Sequence, residues 1–128
     1  MDFKDRLAIL LVEDNELNQK LMKISLTRYN YVVTVAVNGY EGVQCFKRQK
    51  FDLILMDIMM PVMDGYEATS EIRKIETENT IIGHTPIIAF TANTINNDRA
   101  KCLKGGMDDI LEKPFDVNRF REILSSLP

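Results

Sequence analysis

The feature that most constrains this chain is a repeat of pattern rather than of sequence. A short apolar run, a turn and an amphipathic stretch recur five times in 128 residues. Leu7–Glu13 (LAILLVE), Tyr31–Val37 (YVVTVAV), Leu53–Met56, Pro86–Phe90 and Ile110–Glu112 are apolar or rich in β-branched residues, and read as strands. Helical spacing follows each of them. Asn15 is a good N-cap, with Leu17, Leu21, Ile24 and Tyr29 behind it, and Val43 and Phe46 mark a short helix to about Arg48. Ala68, Ile72 and Ile75 share one face of a helix from about Tyr66 to Ile75, and a fourth helix over Asn97–Lys104 stops at Gly105-Gly106. Asp116 caps a last helix whose Val117, Phe120, Ile123 and Leu124 face inward. Asn38-Gly39 reads as a turn and Glu76–Thr85 as a long loop.

Strands alternating with helices imply an α/β fold whose parallel sheet is covered on both faces. Right-handed crossovers leave few topologies, and the doubly wound, flavodoxin-like order 2-1-3-4-5 with five helices is the natural one for five units. Ligands are then expected outside the carboxyl ends of the strands, at the switch point between the first and third. The length suits a single domain over residues 1–128.

The third strand raises the question of chemistry. In "FDLILMDIMMP" an unbroken apolar run, as expected of a strand buried on both faces, leads straight into Asp57. The first strand ends in Glu13-Asp14, the fourth in Thr91 and the fifth in Lys113. Singly, each has a plain reading. Asp14 would cap a helix, Glu13 would be a solvated strand end, Asp57 would start an Asx turn, Thr91 would be a strand residue and Lys113 a surface lysine. Together they gather at one end of one sheet. Like charges so close cannot all ionise cheaply, so three carboxylates there call for a cation. Oxygen-only ligands favour Mg²⁺ or Ca²⁺ over zinc, and few protein ligands favour Mg²⁺, which keeps positions for water and a phosphate.

These residues carry a resemblance that covers essentially the whole chain. "LLVEDN" with Glu13 and Asp14, "LILMDIMMPVMDG" with Asp57, "IIAFTAN" with Thr91 and "DDILEKPF" with Lys113, in that order, look like a receiver domain of two-component response regulators. The resemblance implies a phosphorylation switch. Asp57 would accept a phosphoryl group from a phosphohistidine. Asp14, Asp57 and the backbone carbonyl of Met59 would bind Mg²⁺, with Mn²⁺ able to substitute, and Glu13 would act through a metal-bound water. Lys113, the Thr91 hydroxyl and the backbone N–H groups of Met59 and Ala92 would hold phosphoryl oxygens. The donor would be a histidine kinase or a phosphotransfer protein, and the output domain or protein is unknown. The family's conformational change spreads to the face made by the fourth helix, fifth strand and fifth helix. No separate substrate turnover is expected, and kinase activity only if the chain is part of a hybrid kinase. The "VEDN…NQ" opening and "GMDDILEKPF" close resemble receivers attached to hybrid histidine kinases.

One position departs from the family. An aromatic residue usually stands three places before the lysine, as a rotamer switch coupled to the threonine; here it is Ile110. Met59 and Asn93, at the positions that tune phosphate lifetime in the family, are not water-activating acids. They signal no rapid self-hydrolysis, and it is Ile110 that leaves an alternative function, a degenerate receiver acting as a phosphorylation-independent protein-binding module. A haloacid-dehalogenase-like phosphatase would need an acid where Met59 stands. A flavin or nucleotide module would need a phosphate loop where VEDNE stands.

Composition narrows the rest. A net charge of −3 gives no case for direct nucleic-acid binding. No apolar stretch nears the roughly 20 residues of a membrane span, and the N-terminus lacks a signal-peptide pattern. Cys45 and Cys102 lack metal or redox spacing and read as free thiols. The expected location is therefore cytoplasmic, or the cytoplasmic part of a membrane-bound hybrid kinase.

Overall fold

The computed structural model describes residues 7–60, 62–92 and 98–127. Pro61, Asn93 and the expected helix start at Asn97 lie outside them. The observed elements are β1 (Ala8–Val12), α1 (Glu16–Thr27), β2 (Val32–Ala36), α2 (Gly39–Arg48) and β3 (Leu53–Asp57), then α3 (Gly65–Glu78), β4 (Ile87–Thr91), α4 (Asp98–Lys104), β5 (Asp109–Glu112) and α5 (Val117–Ser126). All strands pair in parallel, in the expected order β2-β1-β3-β4-β5.

Alternate residues of the continuous apolar runs serve opposite faces, as the strand period of two requires. Leu10, Val12, Ile54, Met56, Ile87, Ala89 and Ile110 form one core with Val43, Phe46, Ala68, Ile72 and Cys102 of α2, α3 and α4. Ile9, Leu11, Leu53, Leu55, Ile88, Phe90 and Leu111 form the other, with Met22 and Leu26 of α1 and Phe120 and Ile123 of α5.

Three details differ from the sequence reading. The residues of α1 that face the core are Met22 and Leu26, whereas Leu17, Leu21 and Ile24 stand 64%, 55% and 56% exposed. The helix is apolar on both sides, so spacing alone did not say which side the sheet takes. Asn38-Gly39 is a helix start rather than a free turn, the Asn38 side chain accepting the Glu41 N–H at 2.8 Å. Finally, α3 runs on to Glu78, into the expected loop.

That extension has a cause at the far end of the sheet. Arg73 of α3 donates to Gly106 O (2.9 Å), Thr85 O (2.9 Å), Glu76 (2.7 Å) and Asp108 (2.8 Å). Glu76 in turn accepts the Thr85 N–H, and Asp108 accepts both the Ile87 N–H and a contact from His84 at 2.7 Å. These bonds hold the last turns of α3 against the entry points of β4 and β5.

Candidate functional site

The carboxyl ends of β1, β3, β4 and β5 lie side by side in register. Val12 pairs with Met56, Asp57 with Phe90 and Thr91 with Glu112, and the Lys113 N–H donates to Thr91 O at 2.8 Å. Glu13 follows β1 directly and extends its ladder by donating its N–H to Ala36 O. Strand parity puts Glu13, Asp57 and Lys113 on the α1/α5 side, continuing Leu11, Leu55 and Leu111.

Glu13 is no solvated strand end. It is 1% exposed and Asp57 is 2% exposed, while Asp14 beside them is open to solvent. Each of the three offers a carboxylate oxygen within 4.8 Å of the others'. Lys113 reaches in from β5, its Nζ 3.3 Å from Asp57 Oδ1 and 4.0 Å from Glu13 Oε1. The Lys113–Pro114 peptide bond is cis, and the ammonium also lies 5.3 Å from the centre of the Phe90 ring.

The hydrogen bonds are unevenly shared. Asp57 Oδ1 accepts the Met59 N–H at 3.3 Å and Glu13 Oε2 accepts the Asn15 N–H at 3.0 Å. The other oxygens, Glu13 Oε1 and Asp57 Oδ2, are buried without a hydrogen-bond donor. Burial pushes the Glu13 carboxyl up to about 7, and the nearby Asp57 charge adds to this against the Asn15 N–H and Lys113. Burial raises Asp57 as well, opposed chiefly by Lys113. Two buried acids with donorless oxygens and an exposed third beside them fit a hard divalent cation, which would supply the positive charge they lack.

The other candidate residues are placed around this cluster as follows. Thr91 is buried at the end of β4, on the strand parity of Ala89, and Ala92 is exposed just after it. Met59 is exposed beside Asp57, and Ile110 is buried in β5 within the core that also holds Cys102. Sequence reasoning missed two supports. Gln19 of α1 donates from Nε2 to Glu13 O at 2.6 Å, anchoring the acidic turn. Gly65 opens α3 so close to the third strand that a Cβ there would sit 2.5 Å from Asp57 O. The first falls one turn past the Asn15 cap, and the second lies in the quoted "MDG".

A parallel five-stranded sheet with an acidic cluster and a lysine at its carboxyl end defines a switch-point site of the doubly wound class. The chain belongs to the response regulator receiver domain family, whose model matches residues 9–125. It is a receiver domain of two-component and phosphorelay signalling. It is 48% identical over 117 residues to the hybrid signal transduction histidine kinase B of Dictyostelium discoideum, covering 86% of this chain but 6% of that protein. The receiver domain of the sensor histidine kinase PA1611 from Pseudomonas aeruginosa PAO1, solved with a magnesium ion in its active-site cleft, is 42% identical. The match covers 94% of this chain and 95% of that one, with a TM-score of 0.82. A third match, at 31% identity and a TM-score of 0.85, covers 94% of this chain and 87% of a chain in the Saccharomyces cerevisiae co-crystal of the phosphotransfer protein Ypd1 with the Ssk1 receiver domain. No helix among the described residues is long and apolar enough to cross a membrane.

Proposed function

We propose that Asp57 is the phosphoacceptor of this receiver, taking its phosphoryl group from a phosphohistidine. The observation that carries this reading is the buried pair Glu13 and Asp57, each with a donorless oxygen, set beside Lys113. A carboxylate oxygen of Asp57 attacks phosphorus as the P–N bond to the donor imidazole breaks. The bonding pair stays on that nitrogen, and because the other ring nitrogen of the phosphohistidine carries a proton the ring leaves as neutral histidine while an acyl phosphate forms. A carboxylate is a weak nucleophile, so the domain contributes placement and charge balance. The β3 strand mounts Asp57 rigidly, Lys113 neutralises the transferred oxygens, and the Thr91 hydroxyl and the N–H groups of Met59 and Ala92 complete their binding.

The acidic set would hold Mg²⁺ through Asp14, Asp57 and the Met59 carbonyl, with Glu13 acting through a water and Mn²⁺ substituting. Bound there, the ion would offset charge on the carboxylates and the phosphoryl group. Its presence in the PA1611 receiver supports this reading. The donor is a histidine kinase or phosphotransfer protein, as the pairing of Ypd1 with the Ssk1 receiver suggests. Its helices would dock on the exposed Leu17, Leu21 and Ile24 of α1. Beside these residues lies a recess of about 390 Å³ lined by Leu21, Phe115 and the Lys113–Pro114 turn. Residues 1–128 would act as one domain, serving an output of unidentified kind. The two free thiols favour a reducing, cytoplasmic setting.

Intact-mass spectrometry after incubation with Mg²⁺ and acetyl phosphate tests the proposal. One phosphoryl group should be added, and none without Mg²⁺ or in Asp57→Asn. A wild-type adduct that survives in Asp57→Asn would place the acceptor elsewhere.

A further inference from the structure

We propose that Tyr66 is the positioning residue that passes the state of Asp57 to α4. The inference rests on Asp57 being the phosphoacceptor.

The path starts at the backbone of the acceptor. Gly65 packs so tightly there that a Cβ would meet Asp57 O at 2.5 Å and Ile58 Cα at 2.9 Å. Its N–H donates to Ile58 O at 3.0 Å, and the Asp64 side chain caps the same turn by accepting the Glu67 N–H at 2.9 Å. The first turn of α3 is therefore seated directly on the residue that would gain the phosphoryl group. A close-packed contact of this kind transmits small displacements rather than absorbing them.

The next residue reaches the other element. Lys101 Nζ of α4 sits 4.4 Å from the centre of the Tyr66 ring, and the Cys102 thiol lies 3.8 Å from the Tyr66 hydroxyl. Just past α4, a Cβ on Gly105 would be 3.8 Å from the ring edge. Cys102 is fully buried, so this contact sits at the root of α4 rather than at its surface.

Ile110 sharpens the assignment. It is buried in the same core as Cys102, but an aliphatic side chain has no polar tip with which to select one arrangement over another. Tyr66 has one: its ring holds a cation and its hydroxyl meets a thiol, and both contacts are directional. Phosphorylation would add a dianion at Asp57 and draw Lys113 towards it. Any accompanying shift of the 57–58 backbone acts on Gly65, and through Tyr66 on Lys101 and Cys102.

The test is hydrogen exchange of the α4 amides, Lys101–Lys104, with and without Mg²⁺ and acetyl phosphate, with intact mass reporting phosphoryl occupancy. In the wild type, phosphorylation should change α4 exchange by at least about fivefold, the lower end of ordinary coupling between sites. Tyr66→Leu should phosphorylate to the same extent yet lose that difference. Tyr66→Phe, which keeps the ring over Lys101 but loses the hydroxyl contact to Cys102, should retain part of it. If Tyr66→Leu unfolds, the double variant Tyr66→Phe with Lys101→Met removes both polar contacts while leaving the ring, and should lose the response. A wild-type difference that persists in Tyr66→Leu, or in the double variant, overturns the proposal, as does a phosphorylated wild type without any difference at α4. Variants that fail to phosphorylate would make Tyr66 part of the acceptor site rather than a relay, which also overturns it. Absence of an adduct in the wild type itself would instead remove the phosphoacceptor reading, and this inference with it.

Discussion

Val62 adopts φ of 70° in the loop after Asp57, a left-handed conformation that a β-branched side chain occupies at a cost of about 1–2 kcal/mol. The side chain is exposed, so packing does not compensate. Val62→Asn should raise stability by about 1 kcal/mol, because asparagine tolerates this region, and urea denaturation would read it as a higher midpoint at unchanged slope. Three residues on, the direction reverses. Gly65→Ala would drive a methyl group into Asp57 O and should cost about 1–3 kcal/mol by overpacking. Slower labelling by acetyl phosphate should accompany the loss, since the acceptor strand must shift to make room. At this scale the sequence was informative about which groups gather at the site. Asp57 and Thr91 end their strands and Glu13, Asp14 and Lys113 come just after theirs, and a run of apolar residues interrupted by a charge is visible in one dimension. The supports were not: Gln19 bonds a backbone carbonyl six positions away, and the demand on Gly65 comes from a strand it does not adjoin in sequence.

The helices divide into those whose sequence fixes their orientation and those where it does not. In α5, the Asp116 side chain accepts the N–H groups of Asn118 (2.9 Å) and Arg119 (3.4 Å), and Phe120 and Ile123 are buried behind it. Asp116→Ala should therefore cost about 1 kcal/mol, seen as a lower thermal midpoint with no change in phosphoryl labelling. By contrast α1 carries apolar residues on opposite sides, and only the sheet selects Met22 and Leu26. The exposed side then stands free for a partner. Leu21→Glu should leave labelling by acetyl phosphate intact. It should slow transfer from a phosphotransfer protein by about 30-fold, the equivalent of losing one 2 kcal/mol contact at an interface centre. Equal slowing with both donors would mean that this face does not receive the donor. The length of α3 was similarly hidden, because Arg73 finds Thr85, Gly106 and Asp108 only once the chain has folded.

Across the whole molecule, the alternation of short apolar runs with helical stretches was enough to give the sheet order, because parallel pairing and right-handed crossovers leave few choices. Those restrictions also decide where charge accumulates. Two buried carboxylates with unmatched oxygens tax the folded state, and a divalent ion that binds them stabilises it by mass action. Millimolar Mg²⁺ should raise the unfolding midpoint, EDTA should reverse the rise, and Asp14→Asn should remove most of it. Differential scanning fluorimetry reads all three. The opposite end of the sheet is built otherwise, where Arg73, Glu76, Asp108 and backbone groups saturate one another. In mechanical terms the β4–β5 half is a reed clamped at its root. The entry ends of the strands are fixed, so a displacement begun by phosphorylation of Asp57 would have its freedom at the tip, where Ala92 and Lys113 leave the sheet. On the proposed function the clamp would serve the signal without touching it, giving the moving end something to move against.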